Sequence, residues 1–371
     1  VLAGVGQVTL AADGQASAHA GGNFLIPTAT AAAAADQQQR AADVAARTLQ
    51  EMNPLVRVVA LPGGEAAVDA AAAAAETTSD DDSSNDPIAA HDLIVWCGPA
   101  TALGRAARCD AACRRRGKLF MAAAVSGHAG YCFCDYGAEY TYRPKENEVG
   151  GGAAAAAGAA AATKDAATTA PPRPPPEQTV SFSTLADALA APLSGLHINA
   201  HPLFPVLCAT AAVEKEQQDK QQQQPPSAAA VEKVLREGAL AGSPGGADLL
   251  SAAVDLARAY VGQACQGDDE NVLVASAMRE YAPAAATVGA VAANAALRAV
   301  SRSGAPLRNT FFYSCADGRG LVEDQPALAQ GLAGAANGGG GGAVQKKAGD
   351  QQQQQAGAAA GAADEAVVVL D

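Results

Sequence analysis

The chain has 371 residues, 49% of them hydrophobic but only 4% aromatic, because alanine supplies much of the apolar fraction. That length holds two domains or one domain with long insertions, and so small an aromatic share points to the second. A formal net charge of −13 with a pI near 4.8 excludes the basic footprint that non-specific nucleic-acid binding requires.

Val1 opens without the basic region or cleavage site of a secretory signal, so none is expected. No run reads as the uninterrupted apolar stretch of a membrane helix, so no membrane partner is expected either. The cysteines Cys97, Cys109, Cys113, Cys132, Cys134, Cys208, Cys265 and Cys315 are scattered over a long chain. That spacing fits thiols in a reducing compartment, used as small core hydrophobes.

Taken in chain order, the pattern alternates strand and helix. Val8-Thr-Leu10 reads as a short strand. Arg40 to Met52 has helical spacing and stops before Asn53-Pro54, where proline disfavours helix. Val56 to Val59 alternates as a strand. Leu93-Ile-Val-Trp96 reads as a buried strand ending at Gly98-Pro99. Thr101 to Arg116 is a helix stopped by Gly117, and Leu119 to Ala122 returns as a strand. Such strand–helix–strand succession implies a parallel sheet with right-handed crossovers. Tyr131 to Cys134 and Glu139 to Tyr142 alternate and are expected to extend that sheet. Val180 to Phe182 is another short strand, Ala284 to Val300 a long helix, and Thr310 to Tyr313 the final strand.

Low-complexity tracts interrupt these blocks. Ala31 to Ala35 runs into glutamines, Ala70 to Ala75 leads into an Asp/Ser run, and Gly150 to Ala162 is Gly and Ala, followed by prolines at 171–176. Gln217 to Pro226 is polar, and Gly338 to Gly342 and Gln351 to Gln355 mark the end. Segments of this kind bury too little apolar surface to offset their ordering entropy, and are expected to be insertions and an unstructured tail. The resulting division is 1–144, first part of an α/β domain; 145–176, linker; 177–214, a short helical and strand segment; 215–228, a Gln/Pro linker; 229–325, the rest of the α/β domain; and 326–371, a disordered tail.

Several residues invite chemistry. Gly4-Val-Gly6 lacks the preceding strand and following helix of a nucleotide loop, and Gly4 reads as a helix C-cap. Cys109 and Cys113 share a helix face, and Cys132 and Cys134 a strand face, with His128 nearby. Without Cys-x-x-Cys pairs, buried thiols outweigh a zinc site. Cys208 lies among apolar neighbours, unlike a reactive thiol, and is expected in the core. His197 and His201 stand four apart, but Pro202 disturbs a shared helical face and favours a surface or capping role. Arg114-Arg-Arg116 with Lys118 fits the dipole at a helix C-terminus.

Leu2-Ala-Gly-Val5, Gly22-Asn-Phe-Leu-Ile26, Asn53-Pro54, Gly127 with Gly130-Tyr131 and Gly137, Ala282-Pro283 with Val288-Gly289, and Asn309 to Phe312 follow one another in a recognisable order. Together they resemble the ThiF-type adenylation domain of ubiquitin-like-protein activating enzymes, most nearly the smaller, non-cysteine subunit of the SUMO-activating heterodimer. The resemblance implies an α/β fold with a doubly wound, mostly parallel sheet and nucleotide at the carboxyl ends of the strands. It aligns Val1 with the end of the first helix, so the phosphate loop and an arginine-bearing segment are expected upstream. Active members carry an acid at the end of the second strand, and that position falls on Ala12, with Asp13 one step later. Their aspartate near magnesium falls on Thr101. Arg40 falls on a basic position entering the next helix.

A pocket degenerate at Ala12, Asp13, Arg40 and Thr101 implies no catalytic residue, cofactor or metal in this chain. ATP and magnesium are then expected in a cysteine-bearing catalytic partner subunit, which would adenylate and capture a SUMO-type modifier. The resemblance further implies nuclear residence with a cytoplasmic pool. Two alternatives stay open: a self-sufficient ThiF/MoeB-type sulfur-carrier adenylyltransferase, and a non-enzymatic scaffold.

Overall fold

The computed structural model describes residues 5–14, 25–26, 39–77, 86–145, 175–191, 200–221, 225–238, 246–264, 281–324 and 365–370. In chain order the elements are β1 (Gln7–Ala11), α1 (Ala41–Met52), β2 (Arg57–Ala60), α2 (Gly64–Thr77), β3 (Leu93–Cys97), α3 (Leu103–Arg115), β4 (Leu119–Ser126), β5 (Ala129–Asp135), β6 (Tyr140–Tyr142) and β7 (Gln178–Val180). There follow α4 (Leu185–Leu189), α5 (Leu203–Asp219), α6 (Ala228–Glu237), α7 (Gly246–Ala264), α8 (Ala282–Ser301), β8 (Thr310–Ser314), β9 (Arg319–Glu323) and β10 (Glu365–Leu370).

These elements form a mixed α/β fold on an eight-stranded sheet of order β2-β1-β10-β3-β4-β5-β8-β9. The five strands from β2 to β4 are mutually parallel. From β4 onward the neighbours are antiparallel. The change of direction follows from one tight turn: Ser126 pairs with Ala129, and Gly127 takes a left-handed φ of 56° between them, which a two-residue hairpin of this hand requires.

Strand β3 is a continuous apolar run because both its faces are covered. Leu93 and Val95 join Met121, Cys132, Cys134 and the α8 residues Val288 and Ala292 in one cluster. Ile94 and Trp96 join Phe120, Phe133 and residues of α2, α3, α5, α6 and α7 in the other. Helix α1 packs on Val8, Leu10 and Val58 at the β2 end of the sheet. Helix α3 ends as its sequence predicts. Gly117 is left-handed at φ 63°, and Lys118 N donates to Cys113 O at 2.8 Å, which closes the last turn in a Schellman arrangement.

The structure corrects several sequence expectations. Ala70 to Ala75 lies within α2 rather than in an insertion. Val68, Ala71, Ala72 and Ala75 bury one face of that helix, so tertiary contact holds an alanine run that composition alone reads as loose. Tyr140–Tyr142 does not extend the main sheet; it pairs only with β7 in a separate two-stranded sheet. The strand expected at Val180 to Phe182 ends at Val180. Phe182 instead packs in the cluster of Tyr136 and Tyr140. Thr310–Ser314 is not the last strand, since β9 and β10 follow. The expectation of an unstructured tail over 326–371 fails for residues 365–370, which sit between β1 and β3.

Helix α8 has 20 residues and a mean hydropathy of 1.3, enough by length and composition to cross a bilayer, contrary to the expectation for this sequence. It buries Ala284, Val288, Ala292, Ala295 and Ala299. The Tyr140 hydroxyl donates to Ala299 O at 2.9 Å, which ties the helix to β6.

Candidate functional site

The carboxyl ends of β1, β2 and β3 lie at one end of the parallel half of the sheet, and the segments that leave them contain Ala12, Asp13, Arg40 and Thr101, the pocket positions the resemblance singled out. Such ends are where open α/β sheets place ligands, and the helix N-termini nearby are natural anion sites because their first N–H groups lack partners. In this chain those donors are already engaged.

Ala12, directly after β1, is buried with Val8 and Leu10 against α1 and offers only a methyl group. Asp13 turns toward α2. Its Oδ1 accepts from Glu65 N and its Oδ2 from Ala66 N, both at 3.1 Å, while Asp13 N donates to Glu65 Oε1 at 3.4 Å. This reciprocal pair closes the first turn of α2 as a capping box does, although its two residues are 52 apart in sequence. Gly63 and Gly64 are both left-handed, with φ of 79° and 54°. A Cβ on Gly64 would collide with Asp13 Oδ1, so the glycine is what lets the carboxylate approach.

Arg40 stands at the start of α1. Its guanidinium donates to Asp43 through Nε at 3.0 Å and Nη2 at 3.1 Å, and to Leu61 O through Nη1 at 3.0 Å. The Asp43 hydrogen bond holds its pKa above the ordinary arginine value. Arg105 is similarly committed: Nη2 donates to Glu65 Oε2 at 3.1 Å and Asp69 Oδ2 at 2.8 Å, and its guanidinium lies 5.1 Å from the Trp96 ring centroid.

Thr101 is half-buried in the turn before α3. The N-terminus of that helix is closed from another element, since Glu214 on α5 accepts from Leu103 N at 3.1 Å and Gly104 N at 2.7 Å. Burial pushes the Glu214 carboxyl up to about 7, against the two backbone N–H groups that favour its ionised form. Sequence reasoning missed Glu214. The available signal was an acid placed directly after the apolar stretch Leu203 to Val213.

The structure thus brings Asp13, Glu65 and Arg105 together, sets Arg40 beside them, and places Thr101 next to the Glu214-capped helix. Carboxylates hold the N-termini of both α2 and α3. A phosphate at either helix would have to displace a carboxylate, because the first backbone donors of α2 and α3 are already used by Asp13 and Glu214.

The other candidates resolve structurally. Cys208 is buried in the core, and burial pushes its thiol up to about 12. Cys109, Cys113, Cys132 and Cys134 are buried free thiols, and no group of three His, Cys, Asp or Glu poised for a metal occurs among the described residues. His201 is buried rather than on the surface; its Nδ1 accepts from Leu203 N at 3.1 Å, a capping role at the start of α5. Desolvation lowers it to about 4. The basic run at the end of α3 does more than meet a helix dipole. Arg114 pairs with Asp135 and Arg116 with Asp86, and both acids are buried. Gly4, His197 and Cys265 lie outside the described residues.

No protein-family model matches this chain, and no curated protein is significantly similar to it.

Proposed function

We propose that the chain is a doubly wound adenylation-type domain whose nucleotide pocket has been closed by its own carboxylates. More particularly, we read it as the smaller, non-cysteine subunit of a SUMO-activating heterodimer. The sheet order supports the first step. Numbered with β10 as the first strand, β2-β1-β10-β3-β4 runs 3-2-1-4-5, the order of the dinucleotide-binding sheet.

The observation that carries the reading is the pair of self-capped helices. Asp13 at the start of α2 and Glu214 at the start of α3 occupy backbone N–H groups that would otherwise be free to meet a phosphate. Neither Ala12 nor Thr101 supplies an acid in exchange. A domain of this kind contributes to adenylation by supporting a partner that binds ATP and carries the thioester cysteine. The SUMO assignment and nuclear residence rest on the ordered sequence resemblances, Ala282-Pro283, Val288-Gly289 and Asn309 to Phe312 foremost.

Co-expression with the cysteine-bearing subunit, followed by size-exclusion chromatography and ATP–pyrophosphate exchange with a SUMO-type modifier, tests both steps. Co-elution with exchange only in the complex is expected. Exchange by the isolated chain would instead favour the self-sufficient adenylyltransferase, and a lone monomer that never co-elutes would favour a scaffold.

A further inference from the structure

We propose that the slot between β1 and β3 is a strand-binding site, and that two copies of this chain associate by exchanging their 365–370 segments through it. This proposal is independent of the functional reading above. Strands β1 and β3 make no direct pairing; they are joined to one another only through β10. Withdrawal of β10 would expose two facing rows of unpaired backbone groups, the kind of edge that recruits another strand. Five positions of β10 are paired in parallel on each side, from Gln7↔Glu365 to Ala11↔Val369 and from Ala366↔Leu93 to Leu370↔Cys97. An identical strand from a second copy forms the same bonds on both sides without any new requirement. Its sequence, Glu-Ala-Val-Val-Val-Leu, is rich in residues that favour extended backbone.

The covalent connection does not determine which copy supplies the strand. β9 ends at Glu323 on the far edge of the sheet, and β10 begins at Glu365. Successive antiparallel steps through β5, β8 and β9 bring the end of β9 to the same end of the sheet at which β10 starts. The path crosses five strand spacings, about 24 Å. Extended chain covers about 3.5 Å per residue, so residues 324–364 far exceed what the path needs. A connection so much longer than its path permits insertion into its own sheet or into a neighbour's, and reciprocal exchange closes as a two-fold dimer.

The test shortens the connection. Deleting 327–364 leaves Asp324, Gln325 and Pro326, whose reach of about 14 Å cannot span the path, so insertion within one copy is blocked. At micromolar concentration this variant is expected to be a folded dimer by light scattering, and the full chain a monomer in equilibrium with the same exchanged dimer, whose share grows with concentration. A folded monomer with the melting temperature of the full chain would overturn the proposal. A second arm covers misfolding of the short variant. In the full chain, Val368→Pro removes a backbone donor from a central strand. That variant should lose stability and bind a fluorescent peptide of residues 364–371 at least about tenfold more tightly than a scrambled peptide. Unchanged stability with no preference for the peptide would overturn the proposal as well.

Discussion

Arg114 grips Asp135 with two parallel hydrogen bonds, Nε to Oδ2 at 2.8 Å and Nη2 to Oδ1 at 2.6 Å. The same guanidinium reaches Phe182 O at 2.7 Å, so one side chain joins the end of α3, the end of β5 and the segment before α4. Asp135 is only 1% exposed. Arg114→Ala strands that carboxylate in the interior, and its expected cost is roughly 3 to 5 kcal/mol, measured by chemical denaturation. Arg114→Lys should recover only part of this, because a point charge cannot match the two-pronged geometry.

Beside this pair lies Asp110, fully buried. Its Oδ2 accepts from Leu185 N at 2.6 Å, while its Oδ1 has no partner. Burial and the neighbouring Asp135 charge hold the Asp110 carboxyl well above its ordinary range, and a proton on Oδ1 would supply a donor toward Asp135. An amide does the same without titrating. Asp110→Asn should therefore change stability by less than about 1 kcal/mol at pH values below the ordinary carboxylate range, where folded and unfolded carboxyls both hold their proton. Because the folded carboxyl holds its proton more tightly than the unfolded one, the native chain loses stability as pH rises above the ordinary carboxylate range. The Asn variant should lose less over that interval, as read from melting temperature against pH.

Glu214 gives a pH dependence with a defined window. Its folded value of about 7 lies above the ordinary 4.5. The stabilisation linked to its proton is thus complete below about pH 4.5 and lost as pH rises to about 7, a change on the order of 3 kcal/mol. Glu214→Gln cannot ionise, so its stability relative to the native chain should rise from pH 5 to pH 8. Parallel denaturation curves at the two values would check this, and a constant difference would contradict it.

Gln50 closes the β2 edge of the sheet. Its Nε2 donates to Val56 O at 2.8 Å and its Oε1 accepts from Val58 N at 2.9 Å, much as a neighbouring strand would. Gln50→Ala should cost about 1 to 2 kcal/mol and raise concentration-dependent self-association through the freed edge. Thermal melting combined with light scattering would measure both effects.

Thiol labelling tests the core assignment of the cysteines. Burial pushes Cys208 up to about 12, and Cys109, Cys113, Cys132 and Cys134 are buried with it, whereas Cys315 is partly exposed. Brief alkylation of the folded chain near neutral pH should modify Cys315 well ahead of those five, as resolved by peptide mass spectrometry. A reducible adduct of a modifier on Cys208 would oppose the assignment of the thioester to the partner.

The local pattern of this sequence determined its central elements. Apolar runs bounded by glycine and proline placed β1, β2, β3 and β4 and the helices α1 and α3, because alternation, helical spacing and the backbone limits of Pro54 and Gly117 act over a few residues. What only the tertiary structure decided depends on contacts between distant segments. Ala70 to Ala75 became helix once β1 and α3 could bury one face of α2. Residues 365–370 joined the centre of the sheet through pairing with β1 and β3, for which their own sequence carries extended propensity but no address. The candidate site divides in the same way. Asp13 and Arg40 could be named from order along the chain, but their engagement with Glu65, Ala66 and Asp43 could not be read there. Glu214 caps α3 from 110 residues away, and no local pattern encodes the meeting of a carboxylate with two backbone donors across that separation.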